Sequence, residues 1–308
     1  MRIGIIDLGT NTFNLLIAEV NKNQPFTYLF NAKMGVMLGS GGLDKGLISD
    51  DALARAYGVL SNYRELLNQY KCEKVMAFGT SAIRTTNNSK QFIEKVAADL
   101  HIFIEPISGE QEAEYIYYGV KAAVEFTDEN YLILDFGGGS NEFIIANEKG
   151  MRWKHSFPLG GARLLDKFKP SNPISENEIE SLNTFLDSEL QLLKEALEKF
   201  PITKLVGSSG AFDSFADVIY CKNTGLPQPK DVVSSCISLE EFEYIYRQIV
   251  KSSRQERLLI PGLEAVRVET IVMATLFTKF SLELSGANEI IQSTYSLKEG
   301  VAALFSLQ

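Results

Sequence analysis

Ile5-Ile6-Asp7-Leu8-Gly9-Thr10-Asn11-Thr12-Phe13-Asn14-Leu15-Leu16-Ile17-Ala18 aligns without a gap on Ile133-Leu134-Asp135-Phe136-Gly137-Gly138-Gly139-Ser140-Asn141-Glu142-Phe143-Ile144-Ile145-Ala146. Each stretch runs from an apolar strand through an Asp-x-Gly turn of small residues into a second apolar strand. That order predicts a β-hairpin with an unusually small turn. Two such hairpins predict two related halves that face each other across a cleft.

Outward from the hairpins, strand and helix signals alternate. Leu53, Tyr57, Leu60, Tyr63 and Leu67 have helical spacing over residues 50–70. Lys74 to Phe78 reads as a buried strand, 89–99 as a helix, and Ile102 to Ile107 as another strand. Ser108 is placed to cap a helix from Gly109 to about Val124, with Gln111 completing a capping box. Ser175 and Glu178 form a similar box before a long amphipathic helix ending near Phe200. Further on, Lys204 to Val206 and Glu289 to Ser293 read as strands, 240–252 and 264–284 as helices, and a last helix closes the chain. The Pro170–Pro173 stretch reads as a loop inside the second half. Mixed strand and helix order predicts an α/β protein, with one lobe over residues 1–124, a second over 125–297, and the helix 298–308 packing back on the first.

Composition narrows the function. The 308 residues are 45% hydrophobic and 22% charged, too apolar for a disordered chain. No apolar stretch reaches the ~20 residues of a membrane span, and Met1-Arg2 leads straight into a strand, so neither a membrane anchor nor a leader is expected. Three cysteines and two histidines are too few for a disulfide framework or a His-rich metal centre. A cytoplasmic protein is the expectation. A net charge of −9 disfavours nucleic-acid binding, which needs a basic face. A polyanionic ligand would need a local basic track or a metal.

The turns carry the chemistry. Consecutive glycines at Gly137, Gly138 and Gly139 let backbone N–H groups converge on an anion, and Ser140 adds a hydroxyl. Asp135 before the turn can hold Mg²⁺ through water while phosphate oxygens fill other positions. Taken alone, such a turn is equally a tight hairpin with a structural Asp. The matching Asp7, Gly9, Thr10 and Asn11 shift the balance, because paired phosphate-cradling hairpins belong to the actin-like phosphotransferase architecture. Glu110 and Glu112 fall in a first helical turn, where acids also answer to the helix dipole alone. Arg247, Lys251, Arg254 and Arg257 would share one helical face if the helix persisted, as a phosphate-guiding row or as a solvated surface.

The chain resembles the exopolyphosphatase and guanosine-pentaphosphate phosphohydrolase family in its short two-domain form. The resemblance rests on an ordered set: Asp7-Leu8-Gly9-Thr10-Asn11-Thr12, Gly79-Thr80-Ser81-Ala82-Ile83-Arg84, Ile107-Ser108-Gly109-Glu110-Gln111-Glu112-Ala113 and Asp135 to Glu142. Pro158 to Leu164, Pro261-Gly262-Leu263 with Arg267, and Tyr295 to Gly300 continue it. It implies an actin-like fold (ribonuclease H-like, shared by sugar kinases, Hsp70 chaperones and actin). It also implies metal-dependent release of terminal phosphate from polyphosphate or guanosine pentaphosphate. Glu112 would be the base that activates water, and Arg84 would reach the substrate phosphates. Gly9, Thr10, Asn11, Gly137, Gly138, Gly139, Ser140 and Arg267 would bind phosphate. Asp7, Asp135 and Glu142 would serve Mg²⁺ or Mn²⁺. A homodimer is compatible with the resemblance.

Several positions depart from that family. Asn14 stands where many members carry Arg or His, and Glu114 where an Arg is usual. Gly210-Ala211 replaces a Gly-Thr pair, and Lys298 a customary Arg. Lost cations predict weaker phosphate attraction. A non-catalytic phosphate or nucleotide sensor is therefore the alternative function. A kinase of the wider fold is a third reading, with only Val206-Gly207-Ser208-Ser209-Gly210 as an adenosine-binding candidate.

Overall fold

A computed structural model describes residues 1–42 and 45–307. The first hairpin forms as read: β1 (Arg2–Leu8) and β2 (Thr12–Glu19) pair antiparallel, and β3 (Thr27–Gly35) extends the hairpin. Next come α1 (Asp50–Gln69), β4 (Lys74–Gly79), α2 (Ser81–Thr85), α3 (Ser89–Leu100), β5 (Ile104–Pro106) and α4 (Gly109–Ala123). Sheet order is β3-β2-β1-β4-β5, with β1, β4 and β5 parallel.

The second half repeats the plan. β6 (Asn130–Phe136), β7 (Asn141–Asn147) and β8 (Gly150–Phe157) form the antiparallel run, followed by α5 (Gly161–Phe168), α6 (Glu176–Glu189) and α7 (Gln191–Lys199). β9 (Ile202–Ser208), α8 (Gly210–Thr224), β10 (Ser234–Ile237), α9 (Leu239–Val250), α10 (Arg254–Arg257), α11 (Ile271–Ser285), β11 (Glu289–Ser293) and α12 (Leu297–Ser306) complete it. This sheet runs β10-β11-β9-β6-β7-β8, with β9 parallel to both β6 and β11. Strand for strand, β8-β7-β6-β9-β11 reproduces β3-β2-β1-β4-β5. Duplicated mixed sheets of this order make an actin-like α/β fold.

Period-two alternation explains the burial of β1. Ile6 and Leu8 face a core with α1 and α3, while Ile3 and Ile5 face a different core. That other core is common to both sheets. It joins Leu16 and Ala18 to Ile133, Ile144, Val206 and Ile291 through α4 and α12. The two helices cross backbone to backbone. A side chain on Gly119 would strike Ser296 O, and one on Gly300 would strike Tyr115 O.

Several boundaries differ from the sequence reading for local reasons. Ser108 accepts from Gln111 N at 3.1 Å, but the Gln111 amide donates to Tyr115 Oη instead of closing the box. The helix predicted to end near Phe200 breaks at Leu190 into α6 and α7. Residues 264–284 split into a 3-10 turn, Ala265–Arg267, and α11. The basic row does not share a face. α9 ends at Val250, Arg254 pairs with Glu269, and Arg257 is buried with its Nε donating to Val268 O. The C-terminal helix packs on α4 and reaches β1 and β2; Gln308 lies outside the described residues.

Candidate active site

The two small turns have the same internal bond. Gly9 N donates to Thr12 O, and Gly137 N to Ser140 O, each at 3.1 Å. They also touch. A Cβ on Gly138 would sit 2.8 Å from Asn11 Cγ, and one on Gly139 would sit 2.5 Å from Ser81 Oγ and 2.6 Å from Thr10 Oγ1. Only glycines allow this approach. The second turn is tied back by α5: Gly161 N and Ala162 N donate to Gly137 O and Gly138 O at 2.9 Å, and Arg163 Nε to Gly139 O at 2.8 Å. With those carbonyls engaged, the Gly138 and Gly139 N–H groups have no partner among the described residues. They remain available to an anion.

Both turns line a cleft of about 1210 Å³. Asp7 and Asp135 occupy matching positions at the ends of β1 and β6, and both face it. Their cross-strand neighbours match as well, Asn14 opposite Asp7 and Glu142 opposite Asp135. Asn14 Nδ2 donates to Asp7 Oδ2 at 2.9 Å, so the departure at Asn14 has a structural use. Burial pushes the Asp7 carboxyl up to about 6, with Asn14 and Lys298 opposing. Asp135 Oδ2 accepts from Ser208 Oγ at 2.7 Å and Ser296 Oγ at 2.6 Å, and burial raises its pKa too. Glu142 is 1% exposed, accepts from Ser156 Oγ at 2.7 Å, and is pushed up to about 8 by burial and then by Asp135.

Glu112 projects from the first turn of α4 onto the cleft wall. Its Oε2 lies 3.1 Å from Arg84 Nη1. Burial first, then Glu142, push its carboxyl well above the usual range, and Arg84 opposes them. Arg267 is a cleft residue whose guanidinium lies against Gly210 at the start of α8. Three buried side-chain polar atoms lack a hydrogen-bond partner among the described residues: Thr10 Oγ1, Arg267 Nε and Thr278 Oγ1. Arg267 Nε is 3.3 Å from Glu264 Oε2 but not aligned for a bond. Two of these three atoms belong to residues of the cleft wall. Unpaired buried donors and acceptors are costly, and a ligand oxygen at each would remove that cost.

The residues expected at the site divide by position. Asp7, Gly9, Thr10, Asn11, Glu112, Asp135, Gly137, Gly138, Gly139, Ser140 and Arg267 line the cleft together. Arg84 and Glu142 do not. Arg84 faces a smaller cavity behind Glu112, and Glu142 is packed beneath its turn. The cleft wall therefore offers two of the three carboxylates expected for a metal. Among the described residues, no group of three or more His, Cys, Asp or Glu is gathered to hold an ion. Two desolvated carboxylates still fit Mg²⁺, which keeps several waters and takes the rest of its shell from phosphate.

Glu114 is not among the residues of the cleft wall. It lies against β8 and holds Lys154 Nζ at 2.9 Å. Lys298 is retained in the site, lining the cleft and paired with Glu299 at 2.6 Å. Sequence reasoning missed Ser208 and Ser296, the hydroxyls that hold Asp135, and the Lys33–Asp213 pair at 3.9 Å that spans from β3 to α8. Ser296 lay within the Tyr295–Gly300 motif. Lys33 had no signal at all, being one lysine on an exposed edge strand.

A duplicated actin-like fold, with paired small-residue turns and a buried carboxylate on one cleft, is the frame in which the comparisons with known proteins are to be placed. The chain belongs to the Ppx/GppA phosphatase family, whose model matches residues 16–306. It is 32% identical over 298 residues to a bifunctional 3-dehydroquinate synthase/phosphatase of Fusobacterium nucleatum, covering 94% of this chain but 44% of that protein. Exopolyphosphatase 1 of Mycobacterium tuberculosis is 24% identical, with 98% of this chain and 87% of that protein covered. Among solved structures, an exopolyphosphatase from Cytophaga hutchinsonii superposes with a TM-score of 0.94 at 39% identity, over 100% of this chain and 97% of that one. The Aquifex aeolicus family member gives 0.83 at 26%, over 100% and 98%. No described helix is long and apolar enough to cross a membrane.

Proposed function

We propose that this chain is a metal-dependent phosphohydrolase that releases terminal orthophosphate from inorganic polyphosphate or guanosine pentaphosphate. The observation that carries the reading is Glu112: a buried carboxylate on the cleft wall, with raised proton affinity, beside two anion-ready turns. The turns and Arg267 would hold the substrate phosphates, and the free Thr10 Oγ1 and Arg267 Nε would gain partners. Glu112 would orient a water and take its proton. The water oxygen then bonds to the terminal phosphorus, the bridging P–O bond breaks, and its electron pair leaves with the shortened substrate. Mg²⁺ or Mn²⁺, held by Asp7 and Asp135 with water, would offset phosphate charge. Names of the relatives support polyphosphate as the substrate class. Acidic Asp213, Asp217 and Glu264 beside Lys33 and Arg267 in the same cleft favour a substrate with an uncharged part beside its phosphates, such as the nucleoside of guanosine pentaphosphate.

Glu112→Gln tests the assignment, because it keeps shape and hydrogen bonding but removes the proton acceptor. General base catalysis is worth about 10²–10⁴-fold, so turnover should fall by that factor while substrate affinity changes little. Glu110→Gln is the control on the same helix turn and dipole. Equal activities of the two variants, with equal small stability losses, would reduce Glu112 to a helix-dipole residue.

A further inference from the structure

A second cavity of about 300 Å³ lies behind the cleft and includes Ser81, Arg84, Thr85, Glu110, Ser140 and Arg163 in its wall. Ser81 and Ser140 line both spaces. The Glu112–Arg84 pair divides them, since Glu112 faces the main cleft and Arg84 the back cavity. Arg84 spends Nη1 on Glu112 and on Ile107 O, leaving Nε and Nη2 without partners among the described residues. Arg163 gives Nε to Gly139 O and Nη2 to Thr85 Oγ1 at 3.1 Å, which leaves Nη1 in the same position. Two guanidinium groups thus share one small space. Burial first, then the neighbouring Arg84, lower the Arg163 pKa. Among the described residues the only carboxylate in this wall, Glu110, is exposed and has Oε1 3.2 Å from His155 Nδ1.

Such a wall suits a tetrahedral oxyanion, which guanidinium forks and serine hydroxyls bind through charge-assisted hydrogen bonds. We propose that the back cavity receives the orthophosphate produced at Glu112 and is the route by which it leaves, past Ser81 and Ser140 and out beside Glu110. The shortened substrate can then remain in the main cleft. This rests on the hydrolytic reading above, because the cavity is assigned to that reaction's product.

The test compares wild type with Glu110→Trp, which narrows the exit, and Glu110→Lys, which adds a cation there. Glu110 is exposed, so both variants should fold. Acid quenching reports cleavage of polyphosphate, a fluorescent phosphate-binding protein reports free orthophosphate, and added inorganic phosphate reports product inhibition. Glu110→Trp should cleave within about twofold of wild type, yet show a lag before free phosphate appears. Glu110→Lys should strengthen inhibition by inorganic phosphate about fivefold or more, as expected for a swing of two charge units near a protein surface. Cleavage with no lag and unchanged inhibition in both variants would overturn the exit route while leaving hydrolysis intact. No cleavage of polyphosphate or guanosine pentaphosphate by wild type would instead overturn the hydrolytic reading, and the exit with it.

Discussion

Glu112 is held between opposed influences. Burial and Glu142 favour its neutral form, and Arg84 favours the carboxylate. A base works only when deprotonated, so the rate should rise as pH climbs through this raised pKa. The acid limb of kcat should therefore lie above the ordinary glutamate value of about 4.3. Arg84→Gln removes the opposing cation and should move the limb further up. A limb that stays put or moves down in that variant contradicts the assignment. At this scale legibility was uneven. Asp7 and Asp135 could be read because each ends an apolar run at a small turn. Glu142 could not be placed, because nearly the whole of β7 is buried and alternation gives no sign of which side meets the cleft. Arg84 was expected at the substrate phosphates, but its facing a different cavity from Glu112 depends on the fold of α2.

At the level of elements, the paired turns work only if their backbones can meet. Gly139→Ala would set a methyl 2.5 Å from Ser81 Oγ and 2.6 Å from Thr10 Oγ1, forcing the halves of the cradle apart. Overpacking of this kind costs about 1–3 kcal/mol, and phosphate-ligand affinity should fall by about tenfold or more. Gly58 provides the contrast. It lies exposed within α1, and a methyl added there would meet no atom within 4 Å. Gly58→Ala should stabilise the protein by roughly 0.5–1 kcal/mol and leave affinity unchanged. Thermal unfolding and calorimetric titration read both effects. A Gly139→Ala protein that binds as wild type does would mean the turns need not touch. The hairpins and long helices were legible from apolar period and caps. β3 was not, since its mixed TYLFNAKMG pattern is that of a half-exposed edge. Nor was the break at Leu190, where helical periodicity continues on both sides.

Across the whole molecule, the cleft depends on how the two sheets are joined. The shared core beneath it brings α4 and α12 between them, with Gly119 and Gly300 allowing the close crossing. α4 carries Glu112 at one end, and the segment entering α12 supplies Ser296 to Asp135 and Lys298 to the cleft. The same joint therefore holds together groups from distant parts of the chain. The sequence foretold a duplicated fold because its two hairpins align without a gap. It did not foretell this joint, since two glycines in separate helices give no sign that they meet. The central claim is that the cleft so built hydrolyses phosphoanhydrides rather than merely binding them. Its most direct test is orthophosphate release from polyphosphate and from guanosine pentaphosphate by the wild-type protein with Mg²⁺, measured beside equilibrium binding of each. The account predicts release from at least one of the two. Binding of either with release from neither would contradict it and make the protein a sensor.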